Sequence, residues 1–280
     1  MNKYLFFDID GTLVGSSRQV TELNKQAIRK ARENGHKAFL CTGRAPTSID
    51  PSIIDVGFDG IICSAGGYII IDGHYIFENL INQYVLSEVM TLFTNHQILY
   101  SLETKDCIYQ TPGVTDFFDR RHMQKMEENL ELKRFYEIRR RNEHRQPIRH
   151  FDILKTPVVK VCFIAKNKKD FEDCIPFLED YFHIVTFSKE EDDFVNGEII
   201  IKGCTKADGI KQVIRYFNAS MKNTIGFGDS MNDYQMIECV DIACVSKEAP
   251  KALLDLATIT FDAPDQDGIY YCMKELKLIE

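Results

Sequence analysis

The chain opens on an apolar run, residues 3–7, that stops abruptly at Asp8, and this run is the first stroke of a repeated rhythm. Residues 21–34 follow as an amphipathic helix, with Leu23, Ala27, Ile28 and Ala31 on one face and Gly35 as the stop. A second apolar run over Lys37–Cys41 ends at Thr42, and a third over Gly60–Cys63 leads into Gly66-Gly67. Strand, helix and strand at these lengths predict βαβ units and a parallel sheet. The rhythm returns after Glu198, with a helix over 208–217, a strand over 224–227, a helix over 233–238, and strands over 242–245 and 258–261. The region between differs. It mixes helical stretches (86–93 and 115–130) with strands (158–165 and 183–188) and carries none of the carboxylate motifs described below. The expected architecture is α/β: a doubly wound, Rossmann-like parallel-sheet core from residues 1–82 and 190–280, with an α+β domain inserted at 83–189.

The 280-residue length suits one large domain or two. No stretch approaches the roughly 20 apolar residues of a membrane helix, and the opening run is cut by Asp8 and Asp10 before a signal h-region could form. The expected location is therefore the cytoplasm, with no membrane partner. The nine cysteines contain no C-x-x-C, and Cys239 and Cys244 have no second pair at zinc-ligand spacing; reduced, mostly buried thiols are expected. A net charge of −8 argues against nucleic-acid binding through bulk charge. One basic run (Arg139-Arg140-Arg141, Arg145 and Arg149, with His144 and His150) stands against that background; it reads as a solvated surface balanced by Glu137 and Glu143, with recruitment of an anionic substrate or an RNA as the other reading.

Four segments carry candidate chemistry, each just beyond a predicted strand or at the start of a predicted helix. In open parallel sheets ligands bind beyond the carboxyl ends of the strands, so distant segments can converge there. The first is Asp8-Ile9-Asp10-Gly11-Thr12-Leu13. Asp8 can act as a nucleophile on phosphorus, and the Asp10 carboxyl can protonate the leaving oxygen and then activate water. Gly11 permits the sharp turn that brings both in. An acidic turn after a strand is the plainer alternative.

The second, Thr42-Gly43-Arg44, offers a hydroxyl and a glycine amide for phosphate oxygens, although a simple hydrogen-bonded turn has the same sequence. The third is Lys206, a helix-start lysine able to present its charge to phosphate, or merely a solvated one. The fourth is Gly226-Phe227-Gly228-Asp229-Ser230-Met231-Asn232-Asp233. Mg²⁺ takes one or two carboxylates plus phosphate and waters, which Asp8 and Asp229 could supply. Asp233 suits orientation of a water or of the lysine, or the N-terminal acid of a helix.

Taken together, these segments resemble the haloacid dehalogenase superfamily: DxDGT at the N-terminus, then TGR, then lysine, then GDSMND. The placement of the insertion resembles a C2-type cap, and Asp265-Gln266-Asp267-Gly268-Ile269 resembles the C-terminal segment of the Cof-like phosphatase branch. The resemblance implies a phosphatase for small phosphomonoesters such as sugar phosphates, working through an aspartyl-phosphate with Mg²⁺ as cofactor. It implies Asp8 as nucleophile and metal ligand, and Asp10 as general acid/base with its backbone carbonyl on the metal. Thr42, Gly43, Lys206 and Asn232 would bind phosphate, Asp229 would ligate the metal, and Asp233 would assist. Asp at position 10, where related ATPases carry Thr and phosphonatases Ala, leaves phosphatase or phosphomutase; a non-catalytic binding or regulatory protein is the third reading. Two positions depart from the branch: Ala65-Gly66-Gly67 stands where Asn-Gly-Ala is usual, which puts inferred substrate contacts in doubt, and Glu248-Ala249 where Asn-Ala is frequent.

Overall fold

A computed structural model of the protein describes residues 2–117, 144–188 and 190–280. Along the chain the strands are β1 (Tyr4–Phe7), β2 (Lys37–Cys41), β3 (Gly60–Cys63), β4 (Tyr68–Ile71) and β5 (His74–Glu78), then β6 (Leu99–Glu103), β7 (Ile108–Gln110), β8 (Arg145–Pro147), β9 (Lys160–Ala165), β10 (Phe182–Thr186) and β11 (Val195–Ile201), and finally β12 (Thr224–Gly228), β13 (Ile242–Ser246) and β14 (Ile259–Phe261). They form two sheets, ordered β14-β13-β12-β1-β2-β3-β4-β5 and β10-β11-β9-β6-β7-β8.

The chain divides into two compact units. The first comprises Met1–Arg44, Ile49–Glu78 and Cys204–Glu280. Its sheet is parallel from β14 to β3 and closes with the antiparallel β4–β5 pair. Asp72 and Gly73, both at positive φ (50° and 75°), make the two-residue turn of that pair. An Asp-Gly between apolar runs is a strong hairpin signal. Strand alternation separates two apolar faces. Phe6, Phe39 and Ile62 pack with Ile210, Val213 and Ile214 of the helix Lys206–Tyr216. On the opposite parity Phe7 stacks on Phe227, ring centroids 4.5 Å apart. The helix Glu22–Glu33 is capped at Thr21, whose hydroxyl accepts the Asn24 amide, and buries Ala27, Ile28 and Ala31 as its sequence spacing predicts. This is the doubly wound α/β core.

The second unit comprises Ala45–Ser48 and Asn79–Gly203. Its sheet is antiparallel except for β7–β8. One face, with Leu102, Val161, Phe163 and Ile199, packs against the helices Gln83–Asn95 and Ile175–Tyr181 through Val89, Phe93 and Leu178. The alternate residues place Ser101, Glu103, Lys160, Cys162, Asn196 and Glu198 on the other face. There Lys160 Nζ lies 3.2 Å from Glu103 Oε2 and 2.7 Å from Glu198 Oε2, all three nearly buried. The unit runs past the boundary expected at 189 because β11 pairs antiparallel with both β9 and β10. Of the basic run, Arg145 lies in β8 and Arg149 and His150 in the short turn after it, with His150 Nδ1 3.2 Å from Gln146 Oε1; Arg139, Arg140 and Arg141 lie outside the described residues, as does most of the expected helix 115–130. Seven of the nine cysteines are buried. No helix among the described residues is long and apolar enough to cross a membrane.

Candidate active site

The strand order decides which motifs meet. β1 lies between β2 and β12, and all three run parallel. Asp8, Thr42 and Asp229 follow their last residues, so the three segments emerge side by side at one edge of the sheet. The Asp8 amide donates to Phe227 O (3.0 Å), and Thr42 N donates to Ile62 O (2.9 Å), so each segment leaves its strand still tied to the neighbour. Lys206 comes from the helix Lys206–Tyr216, whose Thr205–Asp208 capping box fixes its first turn.

Within this edge the Lys206 ammonium is 2.6 Å from Asp8 Oδ1, 2.5 Å from Asp233 Oδ1 and 3.4 Å from Asn232 Oδ1. Asp233 turns its other oxygen to the backbone amides of Asp229 (3.0 Å) and Ser230 (3.2 Å). It is completely buried and joins the lysine to the loop that carries Asp229. Asp229 Oδ1 accepts the Thr12 hydroxyl at 2.8 Å. Gly11 makes this approach possible: its φ is +93°, and a Cβ there would lie 2.0 Å from Asp229 Oδ2.

Carboxylate atoms of Asp8, Asp229 and Asp233 all lie within 4.8 Å of one another. Burial raises the Asp8 carboxyl to about 7, with Lys206 lowering it and Asp233 and Asp10 raising it. Burial, then Asp233 and Asp8, push Asp229 up to about 9. For Lys206, burial favours loss of the proton, yet Asp233 and Asp8 outweigh it and hold the proton firmly. The cluster is short of positive charge, and Asp8 Oδ2 is buried with no hydrogen-bond partner among the described residues. An oxygen-only donor set with an orphaned carboxylate oxygen fits a hard divalent cation such as Mg²⁺.

Asp10 is placed differently from the other acids. Both of its oxygens are held by Arg44, Nε to Oδ2 at 2.8 Å and Nη2 to Oδ1 at 2.7 Å. Its backbone is pinned by the bridge to Val14, with the Gly11 amide donating to Val14 O at 2.9 Å. Thr42 is buried and its Oγ1 accepts the Arg44 amide (3.1 Å), which leaves its own hydrogen for another acceptor. Gly43 has nothing within 4 Å of where a Cβ would stand, so its surroundings are open on that side. Asn232 Oδ1 also accepts the Ser230 hydroxyl (2.9 Å), leaving its amide hydrogens for another acceptor. Thr12, Arg44 and Ser230 are the partners that motif reading passed over; each sits inside a quoted motif, but its pairing exists only in space.

Beside the TGR segment, Ala65 adopts a left-handed conformation (φ 56°, ψ 33°) at the position where the Cof-like branch usually has Asn. Asn tolerates that region better than Ala does, so the exchange keeps the turn and drops its side-chain amide. The turn is closed by Gly66 (φ +101°), where a Cβ would stand 2.3 Å from Thr205 O, and by the Ala65 amide donating to Thr42 O at 3.0 Å.

A description of the haloacid dehalogenase-like hydrolase family matches residues 5–273. The chain belongs to that family. It is 24% identical to Phosphatase YwpJ of Bacillus subtilis (strain 168), with 98% of this chain and 99% of that protein covered. Its fold is similar to a haloacid dehalogenase-like hydrolase from B. subtilis (TM-score 0.80, 21% identity, covering 98% of this chain and 99% of the other). It is equally recognisable in a HAD subclass IIB sugar phosphatase (TM-score 0.77, 22% identity, covering 99% and 100%). These likenesses run the full length of this haloacid dehalogenase-like chain, the second unit included.

Proposed function

We propose that the protein is a Mg²⁺-dependent phosphatase for small phosphomonoesters, sugar phosphates or similar metabolites, and that it works through an aspartyl-phosphate on Asp8. The observation that carries this reading is the convergence of the Asp8, Asp229 and Asp233 carboxylates within 4.8 Å, with the Lys206 ammonium 2.6 Å from Asp8. The phosphatase name of a relative and the sugar phosphatase among the structural neighbours support it.

In this reading Asp8, Asp229 and the backbone carbonyl of Asp10 hold the cation. When bound, the cation offsets the repulsion between an anionic nucleophile and an anionic phosphate. Lys206 supplies fixed positive charge to Asp8 and the phosphate. The Thr42 hydroxyl, the Gly43 amide and the Asn232 amide donate to phosphate oxygens, and Asp233 keeps Lys206 and the Asp229 loop in place.

The chemistry takes two steps. A carboxylate oxygen of Asp8 bonds to phosphorus as the bond from phosphorus to the ester oxygen breaks. The leaving oxygen keeps that electron pair, takes the proton carried by Asp10 and departs as the alcohol. Water then attacks phosphorus, giving a proton back to Asp10, and the Asp8–phosphorus bond breaks to release inorganic phosphate. The core recognises only a phosphate, so selection among esters falls to the second unit, which we assign the role of a cap. Rapid-quench labelling with ³²P-labelled p-nitrophenyl phosphate, whose leaving group needs no proton, tests the reading. Asp10→Asn should accumulate labelled protein that alkali releases, and Asp8→Asn should take up none. Labelling of the Asp8→Asn protein would overturn the nucleophile assignment.

A further inference from the structure

The proposed function leaves the arginine of Thr42-Gly43-Arg44 without a role. We propose that Arg44 is the positioning residue for the Asp10 carboxyl, and that turnover of esters with poor leaving groups depends on it. The inference rests on the assignment of Asp10 as the proton carrier given above.

The geometry is that of a fork on a carboxylate. Arg44 Nε and Nη2 donate to the two oxygens of Asp10 at 2.8 and 2.7 Å, and the two side chains are only 13% and 22% exposed. Two parallel charge-assisted bonds fix the plane of a carboxyl, which a single contact cannot do. No other hydrogen bond to that carboxyl is found among the described residues, so its orientation is Arg44's doing. A carboxylate offers about four lone-pair directions, and the fork uses two; the others keep a constant heading for a proton in transit.

Arg44 is itself well anchored. Its amide donates to Thr42 Oγ1 (3.1 Å), and its carbonyl accepts the Ser64 amide (2.7 Å). Ser64, Ala65 and Gly66 all have positive φ (50°, 56° and 101°); the turn is tied to Thr42 O through the Ala65 amide, and Gly66 packs so close to Thr205 O that no Cβ would fit there. Such conformations persist only where the surroundings over-determine them. The result is a chain of contacts from the end of β3, through the loop after β2, to the proton carrier after β1. Misorientation of that carboxyl would harm only the steps that move a proton.

Leaving-group chemistry separates this role from a general structural one. An alkoxide needs a proton as it leaves, whereas p-nitrophenolate departs without one. The test compares kcat and KM of wild type, Arg44→Lys, Arg44→Met and Asp10→Asn on p-nitrophenyl phosphate and on an alkyl sugar phosphate, in saturating Mg²⁺. Correctly placed proton transfer contributes about 10²-fold or more. We expect kcat/KM, which reports formation of the phosphoenzyme and not its hydrolysis, to fall by about 10²-fold on the sugar phosphate in Arg44→Met. It should fall several-fold less on the aryl ester, whose leaving group needs no proton. Arg44→Lys, whose ammonium lacks the fork, should show the same split in milder form. Combining Arg44→Met with Asp10→Asn should add little to the loss in Asp10→Asn alone.

Equal losses of kcat/KM on both esters, or a rise in KM with kcat unchanged, would overturn the proposal in favour of a scaffold or phosphate-binding role. If Arg44→Met does not fold by circular dichroism, Arg44→Lys decides. Absence of the split in Asp10→Asn would instead remove the assignment of Asp10 on which the inference stands. A split in Asp10→Asn with none in either Arg44 variant would remove the inference alone.

Discussion

The ammonium of Lys206 and the carboxylate of Asp8 meet at 2.6 Å inside the protein, both side chains almost wholly removed from water. A buried pair of this kind is costly to assemble and adds little stability over an apolar pair, so stability alone does not account for it. The same lysine also carries Asp233, which has no exposure at all.

Asp8→Asn removes the anion while preserving the shape. The expected result is a loss of phosphatase activity of about 10³-fold or more, with the protein still folded. Because Asp8 lies near the buried Asp233 and the half-buried Asp229, its neutralisation should leave the thermal midpoint unchanged or raised. Activity on p-nitrophenyl phosphate together with a calorimetric scan checks both halves.

Removal of the metal is the second test. Exhaustive chelation should abolish turnover, and Mg²⁺ should restore it. A ligand that binds only the folded state raises its stability by about 2.7 kcal/mol at 100 times its Kd, so added Mg²⁺ should raise the thermal midpoint of the wild type. In Asp229→Ala that rise should disappear. Retention of the full rise would place the cation elsewhere.

The second unit contains its own buried ion cluster, Lys160 between Glu103 and Glu198. Burial alone would strip the lysine of its proton, but the two carboxylates more than reverse this and raise its affinity for it. Lys160→Met would leave two acids facing each other without compensation. A cost of about 3 kcal/mol or more is expected, measured as a shift in the urea midpoint. A small shift would mean that water reaches this face.

Asp59 gives a pH-dependent term. Burial would raise its carboxyl, but Arg32 (2.9 and 3.2 Å), the Ala38 amide (2.9 Å) and Lys37 together lower it below its ordinary value. A group whose folded value is depressed contributes stability above its unfolded value, near 4, and loses it as the pH falls through the folded value. Stability of the wild type should therefore fall more steeply below about pH 4 than that of Asp59→Asn. Urea titrations at several pH values measure the difference. Parallel acid limbs would show that this pair contributes nothing.

Most of the core could be read from the chain because its signals are local. The spacing of Ala27, Ile28 and Ala31 reports a helix face, and the abrupt polar stops at Asp8, Thr42 and Asp229 report strand ends. What escaped was pairing. β11 falls inside the 190–280 span expected for the core, and only its ladder with β9 and β10 assigns it to the other sheet. Arg44 sits in a quoted motif, yet nothing in its neighbours reveals that its fork closes on a carboxylate 34 positions earlier. The left-handed Ala65 is invisible for the same reason: alanine is an ordinary residue until the turn that holds it is known.

The position of β1 between β2 and β12 has a consequence for how the molecule is made. One neighbour of β1 arrives within 40 residues, but the other, with Tyr4 beside Thr224, is separated from it by 220. While the chain is still being synthesised, β1 must wait with one edge unpaired, and such edges invite pairing with other chains. Contacts this distant in sequence also slow folding, because a long loop must close before they form. The carboxylate cluster of Asp8, Asp229 and Asp233 cannot assemble until β12 and the segment after it have been made, so a chain interrupted before them lacks it.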